Sequence, residues 1–113
     1  MEKVNKKVLV LGSTGMLGHV VYDTLTKAKK YDVFDVVFRN KLNEHSIICD
    51  VTNKENVAKV VNDLNPDIIV NCIGVLIKGS STNPANAIYI NSFLPHYLAS
   101  LANNCNAKLI HVS

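Results

Sequence analysis

The most constraining feature of this chain is a short apolar run that ends directly in glycine. Lys7-Val8-Leu9-Val10-Leu11 leads into Gly12-Ser13-Thr14-Gly15-Met16-Leu17-Gly18. A continuous run of branched and aliphatic residues suits a strand buried on both faces. Met16, Leu17, Val20, Val21 and Leu25 then recur at helical spacing. Lysines between Lys27 and Lys30 close that pattern, where a helix dipole favours cations. A strand that turns through glycines into a helix reads as the opening of a βαβ unit.

The rest of the chain continues the alternation. Val33 to Phe38 reads as a second strand, residues 39–46 as loop or degenerate helix, and Ile47-Ile48-Cys49 as a short third strand. Thr52-Asn53-Lys54-Glu55 spells a capping box, with Thr52 as the cap and Glu55 reaching back. Val57, Val60, Val61 and Leu64 give the following helix one apolar face, and Asn65-Pro66 stops it. Asp67 to Ile73 is a fourth strand, and Gly74 to Asn83 a polar loop. Pro84 opens a long helix to about Asn103, bent at Pro95, and Lys108 to Val112 is a fifth strand. This order predicts a Rossmann-type α/β fold, a five-stranded parallel sheet with helices on both faces. No repeat or linker divides residues 1–113, so they form one NAD(P)-binding domain in this reading.

The glycine pattern has a chemical meaning in that setting. Gly12 permits a tight turn, Gly15 a close approach of backbone to a diphosphate, and Gly18 close packing of helix on strand. The amides and dipole at the helix start then face an anion. A glycine-rich turn with no ligand is the competing explanation. The end of the second strand selects the cofactor: an acidic residue holds the ribose hydroxyl of NAD, and an arginine favours the 2′-phosphate of NADP. The chain has Phe38-Arg39-Asn40 there, and Asp35 falls too early, inside the strand. Arg39 therefore favours NADP(H), with NAD(H) still open, because an arginine exposed at a strand end needs no ligand.

Composition excludes several alternatives. Apolar residues at 48% and charged residues at 19% are ordinary for a soluble globular protein. The net charge of +3 is scattered and makes no nucleic-acid footprint. No apolar run reaches membrane-spanning length and no signal-peptide core is present, which predicts a cytoplasmic protein. Cys49, Cys72 and Cys105 form no zinc pattern and read as buried, reduced thiols. His19, His45, His96 and His111 are equally scattered, so no metal site is expected.

Gly12 to Gly18, Cys49-Asp50-Val51, Pro66 to Gly74 and Leu109-Ile110-His111-Val112-Ser113 together resemble the extended short-chain dehydrogenase/reductases. The match is most similar to the dTDP-4-dehydrorhamnose reductase-like sugar-nucleotide reductases. It covers essentially all 113 residues but only the N-terminal part of such enzymes, so the C-terminal part of the pattern is absent. The resemblance implies that Gly15, Met16 and Leu17 lie against the diphosphate and that Asp50 and Val51 flank the adenine. It places Cys72, Ile73, Gly74 and Val75 beside the nicotinamide ribose. Asn91 matches a family asparagine, either as a ligand or as a polar residue bonded inside the core.

One departure bears on activity. Ser113 matches the first serine of the family's fifth-strand motif, and the catalytic hydroxyl is the residue after it. Neither that position nor the family's Tyr-x-x-x-Lys pair occurs here: Tyr22, Tyr31, Tyr89 and Tyr97 all lack a lysine four residues on. No catalytic residue is therefore assigned, and the 113 residues alone are expected to be inactive and prone to self-association. The first functional reading is the NADP(H)-binding part of a nucleotide-sugar reductase. A non-catalytic NADP(H) sensor and a nucleotide-sugar epimerase or dehydratase of the same family are the alternatives.

Overall fold

The computed structural model describes residues 5–12, 16–37, 46–51, 53–73 and 92–111. They form β1 (Lys6–Leu11), α1 (Met16–Lys27), β2 (Tyr31–Val37), β3 (Ser46–Ile48), α2 (Lys54–Leu64), β4 (Ile68–Asn71), α3 (Leu94–Asn104) and β5 (Lys108–His111). The five strands make one parallel sheet in the order β3-β2-β1-β4-β5. The strands expected from sequence are all present, with ends moved by one or two residues. Of the loop expected across 39–46, Ser46 instead opens β3, and residues 39–45, like the helix start expected at Pro84, lie outside the described residues.

The central position of β1 explains its composition. Val8 pairs with Val33 on one side and Ile68 on the other, and Leu11 with Val36 and Asn71. Successive side chains of a strand point to opposite faces. Leu9 and Leu11 accordingly join a core with Val57 and Val61 of α2 and Leu94, Leu98 and Leu101 of α3. Val8 and Val10 join a second core with Tyr22 of α1, Val33 and Val70. With both faces covered, polar alternation has no place in this strand, and each buried aliphatic side chain contributes about 1.5–3 kcal/mol.

The helices correct three details of the sequence reading. In α1, Val20 is 56% exposed, whereas Gly18 and Tyr22 are buried and Val21 and Leu25 half-buried. Val20 therefore lies off the buried stripe, and Tyr22 lies on it. The cap of α2 is Asn53, not Thr52: its Oδ1 accepts the N–H groups of Glu55 at 3.1 Å and Asn56 at 3.2 Å. Asparagine caps at least as well as threonine. Glu55 then falls at the second helical position, where its charge suits the dipole. The helix ends as expected, with Asn65 left-handed (φ 52) and its N–H donated to the Val61 carbonyl.

The helix expected to run from Pro84 into Pro95 lies outside the described residues up to residue 91. Pro95 sits in the first turn of α3, directly after a single wide π turn at residues 92–93. Proline is tolerated there because first-turn amides have no partner within the helix. Phe93 at that junction stacks on Tyr97 with centroids 5.4 Å apart.

A buried polar link joins β2 to β3. Asp35 is fully buried, and its carboxylate accepts the Ser46 hydroxyl at 2.7 Å. The two residues are partners in the strand register. Asp35 is thus committed inside the sheet, short of the strand end where a ribose would be read.

The cap assignment can be tested by urea unfolding. Asn53→Ala should lower stability by about 0.5–2 kcal/mol, the usual loss for removing a capping oxygen.

Candidate functional site

In an open parallel sheet, ligands bind where neighbouring strands send their connections to opposite sides. Here that point lies between β1 and β4. The chain leaves β1 through α1 on one face to reach β2, and leaves β4 through α3 on the other face to reach β5. The connections diverge and leave a crevice at the carboxyl ends of the two strands.

Gly12 and the Cys72–Ile73 peptide form the floor of that crevice. The N–H of Cys72 is donated to the Leu11 carbonyl at 2.9 Å, which carries the β1–β4 pairing past the strand ends. Gly12 has φ +87, and a Cβ on it would lie 2.9 Å from the carbonyl carbon of Cys72 and 3.0 Å from the nitrogen of Ile73. Conformation and space both demand glycine there. The demand comes from the neighbouring strand, so Gly12 shapes the crevice, as a tight turn should.

The start of α1 faces the same end of the sheet. Its first-turn amides have no partner within the helix, and the first turn contains no acidic residue. The positive end of the helix is therefore not neutralised from within its own first turn. Met16, Leu17 and Gly18 belong to this turn, and Gly18 is buried. Ser13, Thr14, Gly15, Arg39, Gly74, Val75 and Asn91 lie outside the described residues.

Asp50 and Val51 follow β3, two strands from β1, and so about 10 Å to the side. Val51 packs against the α2–α3 core. The Asp50 carbonyl accepts the N–H of Asn53 at 3.0 Å, and the residue is half-buried. The structure thus brings Gly12, Cys72 and Ile73 together and sets Asp50 and Val51 apart.

Cys49 and Cys72 are poor nucleophiles. Only Cys49 is buried; Cys72 and Cys105 are half-buried, and all three are free. Burial pushes the Cys49 thiol above the ordinary cysteine range, and the Asp50 charge adds to the effect. Burial alone does the same for Cys72. Both remain protonated at neutral pH, and a thiol is a weak nucleophile.

Two residues of the site were missed from sequence. Asn71 ends β4 fully buried, with Oδ1 accepting the Ile73 N–H at 3.1 Å and Nδ2 lying 3.1 Å from Nδ1 of His111 on β5. The available signal was a lone asparagine inside the apolar run Ile68 to Ile73. A groove of about 460 Å³ between β3 and α2, floored by Ile47, Val60 and Leu64, lies at the sheet edge. Lys59 and Asp63 on its rim pair with each other at 2.8 Å. Among the described residues no group of His, Cys, Asp and Glu could hold a metal, and no helix is long and apolar enough to cross a membrane.

Residues 8–113 match the NAD dependent epimerase/dehydratase family. The dTDP-4-dehydrorhamnose reductase of Escherichia coli (strain K12) is 30% identical over 107 residues, 94% of this chain and 34% of that protein. The structure of dTDP-4-dehydrorhamnose reductase from Bacillus anthracis str. Ames in complex with NADP matches with a TM-score of 0.76 and 23% identity, over 96% of this chain and 36% of that one. L-threonine dehydrogenase from Clostridium difficile matches with a TM-score of 0.80 and 21% identity, over 96% and 36% of the two chains. These two likenesses establish the shared fold. The chain spans about a third of the length of the curated relatives it matches.

The crevice floor gives a direct test. Gly12→Ala should destabilise the fold by about 1–3 kcal/mol, since the new methyl group meets backbone in a conformation alanine disfavours. Thermal unfolding measures it, and an unchanged midpoint would show that the two strand ends can part freely.

Proposed function

This chain belongs to the NAD dependent epimerase/dehydratase family, and on that premise we propose that it is the NADP(H)-binding part of a nucleotide-sugar reductase similar to the dTDP-4-dehydrorhamnose reductases. The observation that carries the reading is the crevice between β1 and β4, where a glycine turn leads to a helix start with no acid in its first turn. Such a site suits the diphosphate of a dinucleotide, because unpaired amides and the helix dipole both favour an anion. The likeness to the E. coli reductase supports the substrate class.

In this reading residues 1–113 act as one dinucleotide-binding domain of a cytoplasmic enzyme. Gly12 holds the turn, and Ser13, Thr14, Gly15, Met16 and Leu17 present backbone to the diphosphate. Gly18 lets α1 approach the sheet. Arg39 takes the 2′-phosphate, and Asp50 and Val51 border the adenine. Cys72, Ile73, Gly74 and Val75 form the wall beside the nicotinamide ribose, with Asn91 close by. The bound nicotinamide supplies hydride chemistry, and these residues bind and orient it. No catalytic role is assigned within residues 1–113, and the sugar nucleotide is bound by the complete protein.

An epimerase or dehydratase acting on a nucleotide-sugar is the second reading, favoured by the family match itself. Net NADPH consumption with a 4-keto nucleotide-sugar distinguishes a reductase, because epimerisation and dehydration return the cofactor to its starting state.

Titration of NADPH and NADH against the full-length protein tests the cofactor. NADPH should bind more tightly, and Arg39→Ala should weaken NADPH more than NADH by removing a charge-assisted contact. Tighter NADH binding would overturn the preference. Gly15→Val should weaken both cofactors, as a side chain there pushes the diphosphate from the helix start.

A further inference from the structure

The amide of Asn71 faces two partners, and their chemistry decides how it is oriented. The N–H of Ile73 can only donate, so the Asn71 oxygen must face it and the NH₂ must face His111. Nδ1 of His111 is then the acceptor, and the ring proton lies on Nε2. Only the neutral ring can do this, because an imidazolium carries a proton on both nitrogens. Protonation would set donor against donor at Nδ1. Turning the amide over would repair that contact but would set the NH₂ against the Ile73 N–H. One hydrogen bond is lost either way.

The held amide is part of the crevice. Ile73 N lies 3.0 Å from where a Cβ of Gly12 would be, and Asn71 is paired in register with Leu11 and His111. We propose that Asn71 is a positioning residue for the cofactor crevice: with neutral His111 as its partner it fixes the Cys72–Ile73 backbone against Gly12, and protonation of His111 loosens that wall. The ligand in this inference rests on the dinucleotide reading above.

His111 is itself exposed at the end of β5. The elements packed against β5 are β4 and α3. Asp67 precedes β4 at the opposite end, where its carbonyl accepts the Lys108 N–H. Helix α3 runs back against the parallel strands, so exposed His96 and half-buried Tyr97 lie toward the end where His111 sits, and Cys105 lies at the far end. No ion pair to His111 occurs among the described residues. A wall that needs the neutral ring therefore holds its ligand better when His111 is neutral than when it is protonated.

The test has two arms on the full-length protein. Without ligand, nitrogen NMR should show the Nε2–H tautomer of His111 at about pH 8, and the Ile73 amide shift should follow the His111 titration. The amide should become insensitive in His111→Gln, whose side-chain oxygen accepts from Asn71 without titrating. An Ile73 amide indifferent to His111 would overturn the link. In the second arm, NADPH affinity should fall by about three- to tenfold more in the unsubstituted protein than in His111→Gln between about pH 8 and 5.5, the worth of one hydrogen bond. Protonation of the 2′-phosphate is common to both proteins and cancels. Equal slopes would overturn the control of binding. Failure of both proteins to bind NADPH at any pH would instead reject the cofactor reading, and the NMR arm would still decide the Asn71–His111 link.

Discussion

The fold depends on how closely two backbones meet at the ends of β1 and β4. Gly12 turns with φ +87 within contact distance of the Cys72–Ile73 peptide, and Leu11 accepts the Cys72 N–H beside it. No side chain separates the strands at the point where their paths diverge. The chain can then lay α1 on one face and α3 on the other while the paired strands stay in register. The crevice is the space left by that divergence.

Polar groups in the sheet are few and work across strands. Asp35 and Ser46 link β2 to β3, and Asn71 and His111 link β4 to β5. They lie on opposite sides of β1, which is wholly apolar from Val8 to Leu11. A buried polar group without a partner is destabilising, so each pair specifies which strand lies next to which. The exposed ion pairs Asp23–Lys27 and Lys59–Asp63 carry no such information, since each joins two residues of one helix.

Much of this architecture was legible in the sequence, for a physical reason. A parallel strand covered on both faces must be continuously apolar, and Val8 to Leu11 and Ile68 to Val70 are. The glycine turn was legible because few residue types can occupy a left-handed, sterically closed position. The misreadings share another cause. Thr52 and Asn53 are both good caps, and their order alone cannot say which leaves the helix. Val20 fits a helical period, but which side of that period is buried depends on how α1 sits on the sheet, and Tyr22 rather than Val20 faces it. Asn71 and His111 are 40 residues apart and become partners only when β5 docks beside β4. Local pattern cannot reveal a pair created by strand order.

The sheet also divides the interior into two cores that do not share side chains, one under α1 and one under α2 and α3. Substitutions on opposite faces, such as at Val33 and Val61, have no common partner to couple through, and effects at such separated sites add to within about 0.3–0.5 kcal/mol. The two halves of the interior can therefore drift in sequence almost independently over evolutionary time. Each can be repacked to suit a different set of appended elements without disturbing the other. The strands between the cores serve both, β1 giving Leu9 and Leu11 to one core and Val8 and Val10 to the other, so the strand backbones are what this half-fold can vary least.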